Sequence, residues 1–442
     1  MYLVVFQGEN HDRPDSSGRT IPDQKPENYI IDAGRAHAQK IQVIFWSASM
    51  GRPSDNWEEY RRPRGKAASI SNALSRIQFD ELCNVASRLN PDGKGCYVDR
   101  SIYAFGGDNI VFELSFNSGE LWIARLRFPM DTADDINDFI LESEAVTMRY
   151  LSANTSIPIP IVYGHDIRRN NSVGLPYLLM QAMPGKRLWG GGRTDYIPDQ
   201  HKDKVYRQIA DILIQLYAHP FDMIGMLHFA PERKSGVKVG PIFDGAHRIQ
   251  PYGPFATAID FYRQRAEMLN EYRANAAKPT IETDNEHVIA PEGEPERALS
   301  IVDTDTNLGP FRLSHPDFTV NNFLFDDEYN ITALLDWSRC QTVPLESFAN
   351  VPGSIVSDAD QFLDGFDLPD KLRAEWMLRR HRFLDILRTC ELERYGTKEI
   401  TEMMESPRSY FAMCLDMYGI LNIPSALPRR EFDEFCTTLA KD

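Results

Sequence analysis

No Cys-x-x-Cys pair occurs in this chain, and none of its 6 cysteines sits with histidine at zinc-ligand spacing. That excludes zinc ribbons, zinc fingers and thioredoxin-like dithiols, and it suits a reducing compartment. Basic residues are in deficit: 48 Lys and Arg stand against 64 Asp and Glu, a net charge of −16. General nucleic-acid binding, which rests on an excess of Lys and Arg, is thereby excluded. The one basic cluster, Arg61-Arg62-Pro63-Arg64-Gly65-Lys66, reads as a solvated linker first, with a targeting signal or an anionic contact as the lesser alternative. No apolar run approaches the length of a membrane span, so no membrane partner is expected. The opening Met1 to Phe6 is too short for a signal-peptide core and lacks its basic lead. These absences leave cytoplasm as the expected location. Hydrophobic residues, by contrast, are present in ordinary measure at 42%, enough over 442 residues for two lobes with accessories.

Residues 314–337 are the most informative segment. Phe323 to Phe325 reads as a strand, Asp326 to Asn330 as a polar turn, and Ile331 to Leu335 as a returning strand that delivers Asp336. A short hairpin of this kind brings Asp336 back beside Asp317 and Asn322. His315, Asp317, Asn322 and Asp336 thus stand in the order used for phosphoryl transfer. One carboxylate accepts and orients a hydroxyl proton, while a second carboxylate and an amide hold a magnesium ion.

Upstream, residues 103–128 read as strands joined by turns. Ile110, Phe112, Leu114 and Phe116 alternate with period two, and Leu121 to Phe128 returns after the turn at Asn117 to Glu120. Gly106-Gly107-Asp108-Asn109 joins two strands either as an ordinary hairpin turn or as a backbone that phosphate oxygens can approach without a Cβ in the way. Arg125 on the returning strand is a forked cation for phosphates or a plain strand arginine. A helix is predicted over 135–153 from Ile140, Leu141, Ala145, Met148 and Leu151. Glu144 beside that face is the favoured ion-pair partner for Arg125, with Glu142 as its rival. Pro176 to Met180 reads as a buried strand that runs into Gln181-Ala182-Met183 and breaks at Pro184-Gly185.

In this order the segments resemble the aminoglycoside phosphotransferase family, in its fungal branch. The resemblance is carried by Gly106 to Phe112, Trp122 to Arg125, Glu144 to Leu151, Leu179 to Gly185 and residues 314–337. It implies an α+β, two-lobed protein-kinase-like fold, with a small β-rich N-lobe holding one helix and a larger, mainly helical C-lobe. ATP and magnesium would lie at the lobe junction. Gly106, Gly107, Asn109, Arg125, Glu144 and the backbone at Gln181 and Met183 would serve the nucleotide. Asp317 would be the catalytic base, His315 its buttress, and Asn322 and Asp336 the metal ligands. The implied reaction moves the γ-phosphate to a hydroxyl of a small molecule. Pro316 and Thr319 depart from the common family pattern and motivate the alternative, a nucleotide-binding pseudokinase acting as a scaffold. The absence of Ala-Pro-Glu after Asp336-Trp337 speaks against a protein kinase.

The expected organisation is a poorly ordered extension over 1–77, an N-lobe over 78–183 and a C-lobe over 184–442. Within the extension, Ile41 to Trp46 is a candidate docking strand. Helices are predicted at Phe79–Asn90, 201–218, Phe255–Ala274, 369–396, 407–420 and 429–440, with loops over 229–254 and a mobile acidic insertion over 276–297. Glu346, Asp358, Asp360 and Asp364 are carboxylates of a substrate pocket or of solvated loops.

Overall fold

A computed structural model describes residues 2–3, 30–31, 51–57, 66–92, 95–129, 136–188, 197–243, 251–276, 302, 304–353, 355, 370–406, 408–409 and 412. The fold is α+β, and the chain divides into two compact units. Residues 1–49, 57–129 and 162–182 form the first, and residues 50–56, 130–161 and 183–442 the second.

In the first unit, β1 (Tyr2–Leu3) pairs antiparallel with β2 (Ile30–Ile31). The helices α1 (Ala67–Arg76) and α2 (Phe79–Leu89) precede a five-stranded sheet. Its strands are β3 (Cys96–Phe105), β4 (Asn109–Phe116), β5 (Leu121–Arg127), β6 (Val162–Asp166) and β7 (Tyr177–Gln181). They run in the order β3-β4-β5-β7-β6 with antiparallel neighbours throughout. The period-two residues Ile110, Phe112, Leu114 and Phe116 are buried as their alternation requires. They share one core with Trp122, Ala124 and Leu126 and with Ile70, Ala73, Phe79, Leu82 and Ala86 of the two helices. Phe79 meets Phe112 edge-on at 5.2 Å between ring centroids. Truncating a side chain as large and buried as Phe112 to alanine costs about 3–5 kcal/mol.

α1 lies inside the stretch expected to be an extension. Its Ile70 and Ala73 are buried, and Ile77 follows one turn later. That i, i+3, i+7 stripe is short and flanked by charge, which hid it in the sequence. The candidate strand at 41–46 lies outside the described residues.

The first α-helix of the second unit is α3 (Ile136–Asn154), close to its predicted bounds. Ile140 joins Ile224, Met226, Phe261 and Phe311 in that unit's core. Phe139 stacks on Phe243 at 5.0 Å, and Tyr150 packs on Phe221 at 5.5 Å. After α4 (Asp199–Tyr217) come β8 (Pro220–Phe221), β9 (Gly225–Phe229) and β10 (Val237–Gly240). β10 is a correction to the loop predicted over 229–254. Val237 to Gly240 pairs antiparallel with Met226 to Phe229, a strand too short for its alternation to stand out between glycines. α5 (Ala258–Ala276) follows, then β11 (Phe311–Ser314), the hairpin strands β12 (Phe323–Phe325) and β13 (Ile331–Leu334), and β14 (Gln341–Val343). β10-β9-β14-β11-β8 make one sheet and β12-β13 a separate ribbon.

α6 (Leu345–Phe348), α7 (Asp370–Tyr395) and α8 (Glu399–Glu405) complete the described elements. α4 and α7 pack together through Tyr206 and Phe383, at 5.9 Å between rings. Arg382 bridges to Asp199 and Asp203 at 2.7 and 2.6 Å. The acidic insertion beyond 276, the helix predicted at 429–440, most of that at 407–420, and Asp358, Asp360 and Asp364 lie outside the described residues.

Candidate active site

β11 carries the chain to Ser314, and a single 3₁₀ turn over Val320–Asn322 leads into the β12-β13 ribbon. The intervening residues fold back on themselves: Thr319 N–H donates to the Asp317 carbonyl at 2.9 Å and Asn322 N–H to the Thr319 carbonyl at 3.0 Å. This curl turns the Asn322 side chain toward Asp317. Its amide nitrogen donates to the Asp317 carbonyl and to Asp317 Oδ2, each at 2.8 Å. The amide oxygen is then the atom of buried Asn322 left to meet a cation. Thr319 Oγ1 donates to the other carboxylate oxygen, Asp317 Oδ1, at 3.2 Å. Asp317 itself stays exposed.

His315 is buried and holds the curl from beneath. Its Nδ1 accepts the Asp317 N–H at 3.2 Å and its Nε2 donates to the Leu335 carbonyl at 2.9 Å. Those two bonds define the neutral tautomer protonated at Nε2. Burial pushes its pKa below the ordinary histidine value, in the same sense. Trp337 lies edge-on to the imidazole at 4.8 Å and donates from Nε1 to the Leu334 carbonyl at 3.0 Å.

Leu335 is held from both sides. Its N–H donates to the Asn322 carbonyl at 2.8 Å while its own carbonyl receives His315. The next residue, Asp336, has φ +60°, the left-handed region that aspartate tolerates better than most residues. That bend presents an exposed carboxylate, one oxygen of which accepts Ser338 Oγ at 2.8 Å. The ribbon is also tied to the residues after Met183. Lys186 and Phe325 exchange backbone hydrogen bonds at 2.9 Å, and Thr332 Oγ1 donates to the Pro184 carbonyl at 2.6 Å. Gly185, at φ +109°, admits this approach, since a Cβ there would lie 2.9 Å from the Phe325 carbonyl oxygen.

His315, Asp317 and Asn322 are therefore brought together as one hydrogen-bonded set, and Asp336 directly follows Leu335, which is bonded to both His315 and Asn322. An amide oxygen and a carboxylate suit a hard, oxygen-seeking cation such as magnesium, which takes few protein ligands and keeps substrate phosphates and water for the rest. Among the described residues, no three His, Cys, Asp or Glu side chains cluster as a metal cage of their own.

The remaining candidates divide between the units. In the first, Gly106 and Gly107 are exposed in the β3-β4 turn, closed by Gly106 N–H to the Asn109 carbonyl at 2.9 Å. Asn109 opens β4 opposite Arg127, and Arg125 is half-buried on β5 between Val111 and Leu178. Gln181 ends β7 opposite Trp122. In the second, Glu144 is 1% exposed on α3, and Met183 directly follows the strand end. Glu142 is half-buried, and burial raises its carboxyl above the usual range.

Three residues were missed or misjudged from sequence. Arg127 is 4% exposed and faces Asp108 of the glycine turn at 3.7 Å. Trp122 stacks on Tyr163 at 3.8 Å, with its Nε1 donating to Glu120 at 2.8 Å. Glu346 is neither pocket rim nor solvated loop: it is fully buried, accepting Thr306 Oγ1 at 3.1 Å.

The profile of the phosphotransferase enzyme family matches residues 104–346, more than half of the chain. The chain belongs to that family. Curated relatives include the Kluyveromyces lactis protein named altered inheritance of mitochondria protein 9, mitochondrial. It is 22% identical over 356 residues, covering 66% of this chain and 57% of that one. A subtelomeric hrmA-associated cluster protein of Aspergillus fumigatus is 30% identical over 355 residues, covering 66% and 68%. The chain thus spans little more than half the length of several curated relatives. Among solved structures, Plasmodium vivax ethanolamine kinase shares 13% identity, with coverage of 78% and 80% and a TM-score of 0.44. An aminoglycoside phosphotransferase complexed with ADP and hygromycin B shares 15%, with coverage of 78% and 94% and a TM-score of 0.40.

The cytoplasmic expectation is overturned by relatives whose names assign them to mitochondria. Missing secretory and membrane-span signals had removed two destinations without bearing on a third.

Proposed function

We propose that this chain is an ATP-dependent phosphotransferase that passes the γ-phosphate to a hydroxyl of a small molecule, and that it works in mitochondria as its curated relatives' names suggest. The observation that carries the reading is the double hydrogen bond from Asn322 to Asp317. It fixes a candidate base and commits the amide nitrogen, so that the amide oxygen is the candidate metal ligand.

Asp317 Oδ2 or Oδ1 would accept the acceptor's hydroxyl proton as that oxygen attacks phosphorus in line with the departing ADP oxygen. Catalysis of this kind is mostly positioning and electrostatics, which puts the weight on how firmly Asp317 is held. His315 holds it through the Asp317 N–H, and its neutral state keeps an uncompensated cation out of the buried shell. Asn322 and Asp336 would hold magnesium, which when bound neutralises charge on the phosphates. Backbone N–H groups at Gly106, Gly107 and Asn109 and the guanidinium of Arg125 would orient the phosphate tail, with backbone groups at Gln181 and Met183 for the adenine edge and Glu144 as partner to Arg125.

A second reading, nucleotide binding without transfer, draws on Thr319, whose hydroxyl already occupies one oxygen of Asp317.

The test is ATP turnover against a panel of hydroxyl-bearing small molecules, wild type beside Asp317→Asn. The expected variant keeps its magnesium-dependent stabilisation by ATP and loses about 10²–10⁴-fold in transfer. Turnover within a few-fold of wild type would remove Asp317 from the base role. Stabilisation by ATP with no turnover on any acceptor would favour the second reading.

A further inference from the structure

Lys66 closes the basic cluster and stands immediately before α1. Its carbonyl accepts the Ile70 N–H at 3.0 Å, and Ile70 and Ala73 anchor that helix in the first unit's core. The backbone of Lys66 is therefore fixed by packing although its side chain reaches outward. That side chain ends on the glycine turn: Nζ donates to the Gly107 carbonyl and lies 5.5 Å from the centre of the Phe128 ring. Phe128 is itself tied to the turn, its N–H donating to the Asp108 carbonyl at 2.9 Å.

Two further facts bear on what this ammonium does there. An ammonium carries three donors, and among the described residues Lys66 spends one, with no carboxylate paired to it. The glycines beside it are not demanded by the fold. Gly106 and Gly107 lack positive φ, and a Cβ on either would meet nothing within 4 Å. Two adjacent glycines that neither turn geometry nor packing requires leave room for something from outside. A cation with donors to spare at that bare backbone marks the incoming group as an anion.

We infer that Lys66 is a phosphate-binding residue of the nucleotide site, a second cation beside Arg125 delivered from outside the sheet by α1. This rests on the reading of the glycine turn as the phosphate-contacting backbone. The ligand class is the phosphate tail of a nucleoside di- or triphosphate. The Phe128 face screens one side of the ammonium from water, which strengthens the remaining interactions.

The experiment compares full-length wild type, Lys66→Met and Lys66→Arg by calorimetric titration with magnesium-ATP, magnesium-ADP and adenosine, the last having no phosphate. Lys66→Met should bind both phosphorylated nucleotides about 5- to 10-fold more weakly and adenosine as wild type does, with Lys66→Arg recovering most of the loss. The ATP loss should shrink at high salt, because the contact is between charges at an accessible site. If wild type binds ATP and Lys66→Met binds it equally well, the inference fails and the proposed function stands. Equal weakening toward ATP and adenosine makes Lys66 a purely structural latch and also overturns it. If wild type binds no ATP, the phosphotransferase reading fails, and this inference with it.

Discussion

The side-chain amide of Asn322 spans the main chain and the carboxylate of Asp317, with 2.8 Å to each. A residue proposed as a metal ligand thereby also fixes the proposed base. Replacing Asn322 by alanine should cost about 1–3 kcal/mol, because the Asp317 carbonyl loses a donor in a partly buried place. Transfer activity should fall further than folding does. Chemical denaturation beside turnover separates the two losses, and an Asn322→Ala protein of wild-type stability would show that the bond holds nothing.

Asp336 offers a cleaner separation, since it is exposed and sits at φ +60°. Asp336→Asn keeps a residue that accepts this backbone, so the ligand-free melting temperature should move by no more than ~2 °C. Magnesium-dependent stabilisation by ATP should disappear. Asp336→Gly should be more stable than Asp336→Ala by up to about 1 kcal/mol, and so melt slightly higher, because only the alanine pays the left-handed strain. Differential scanning fluorimetry with and without magnesium-ATP reads all three.

The glycines should divide into two kinds. Gly185→Ala meets both a positive φ of +109° and the Phe325 carbonyl, and should destabilise by about 2–4 kcal/mol. Gly107→Ala meets neither and should be stability-neutral or slightly stabilising, yet weaken ATP binding. Equal stability losses at the two positions would contradict the geometry.

Acid should destabilise the protein before its carboxylates titrate. Burial lowers the pKa of His219, His228 and His315 in the fold. The unfolded chain, with imidazoles near about 6.5, then binds more protons than the native one as pH falls below that value. This contribution is full above about pH 6.5 and declines from there downward. Melting temperatures from pH 7.5 to 5.5 should fall, and more gently in a His219→Gln, His228→Gln double variant. A flat profile in wild type would exclude the effect.

Cys340 is 1% exposed, and burial pushes its thiol well above the usual range. In the native protein it should resist iodoacetamide and react only on unfolding, whereas the half-buried Cys96, whose thiol pKa is lowered by its hydrogen bond with Cys83, should be modified. Peptide mapping of alkylation at rising denaturant gives the order.

What the sequence revealed followed range of interaction. The hairpin from Phe323 to Asp336 was readable because its strands, turn and ligands lie within two dozen residues, where alternation and turn chemistry act locally. Helices with long apolar stripes, α4 and α7 among them, were readable for the same reason. The route by which Lys66 reaches Gly107 was not, because it joins residues across the β3-β4 connection through packing of α1. β10 carries too few residues to display a period. Nor did the apolar face of α3 announce its partners: periodicity says that Ile140 will be buried, not beside Ile224 and Phe261.

The first unit is discontinuous along the chain. Residues 130–161 leave it, build α3 into the second unit, and return at Val162 to supply β6 and β7. During synthesis, β5 therefore waits for its neighbour β7 until the ribosome has passed Gln181, with α3 already emerged and its apolar face uncovered until Ile224, Phe261 and Phe311 follow. A fragment ended after Met183 would carry a finished sheet and an orphaned amphipathic helix. Expression of either half alone should yield a chaperone client, and functional complementation between separately made halves should require that they be produced together.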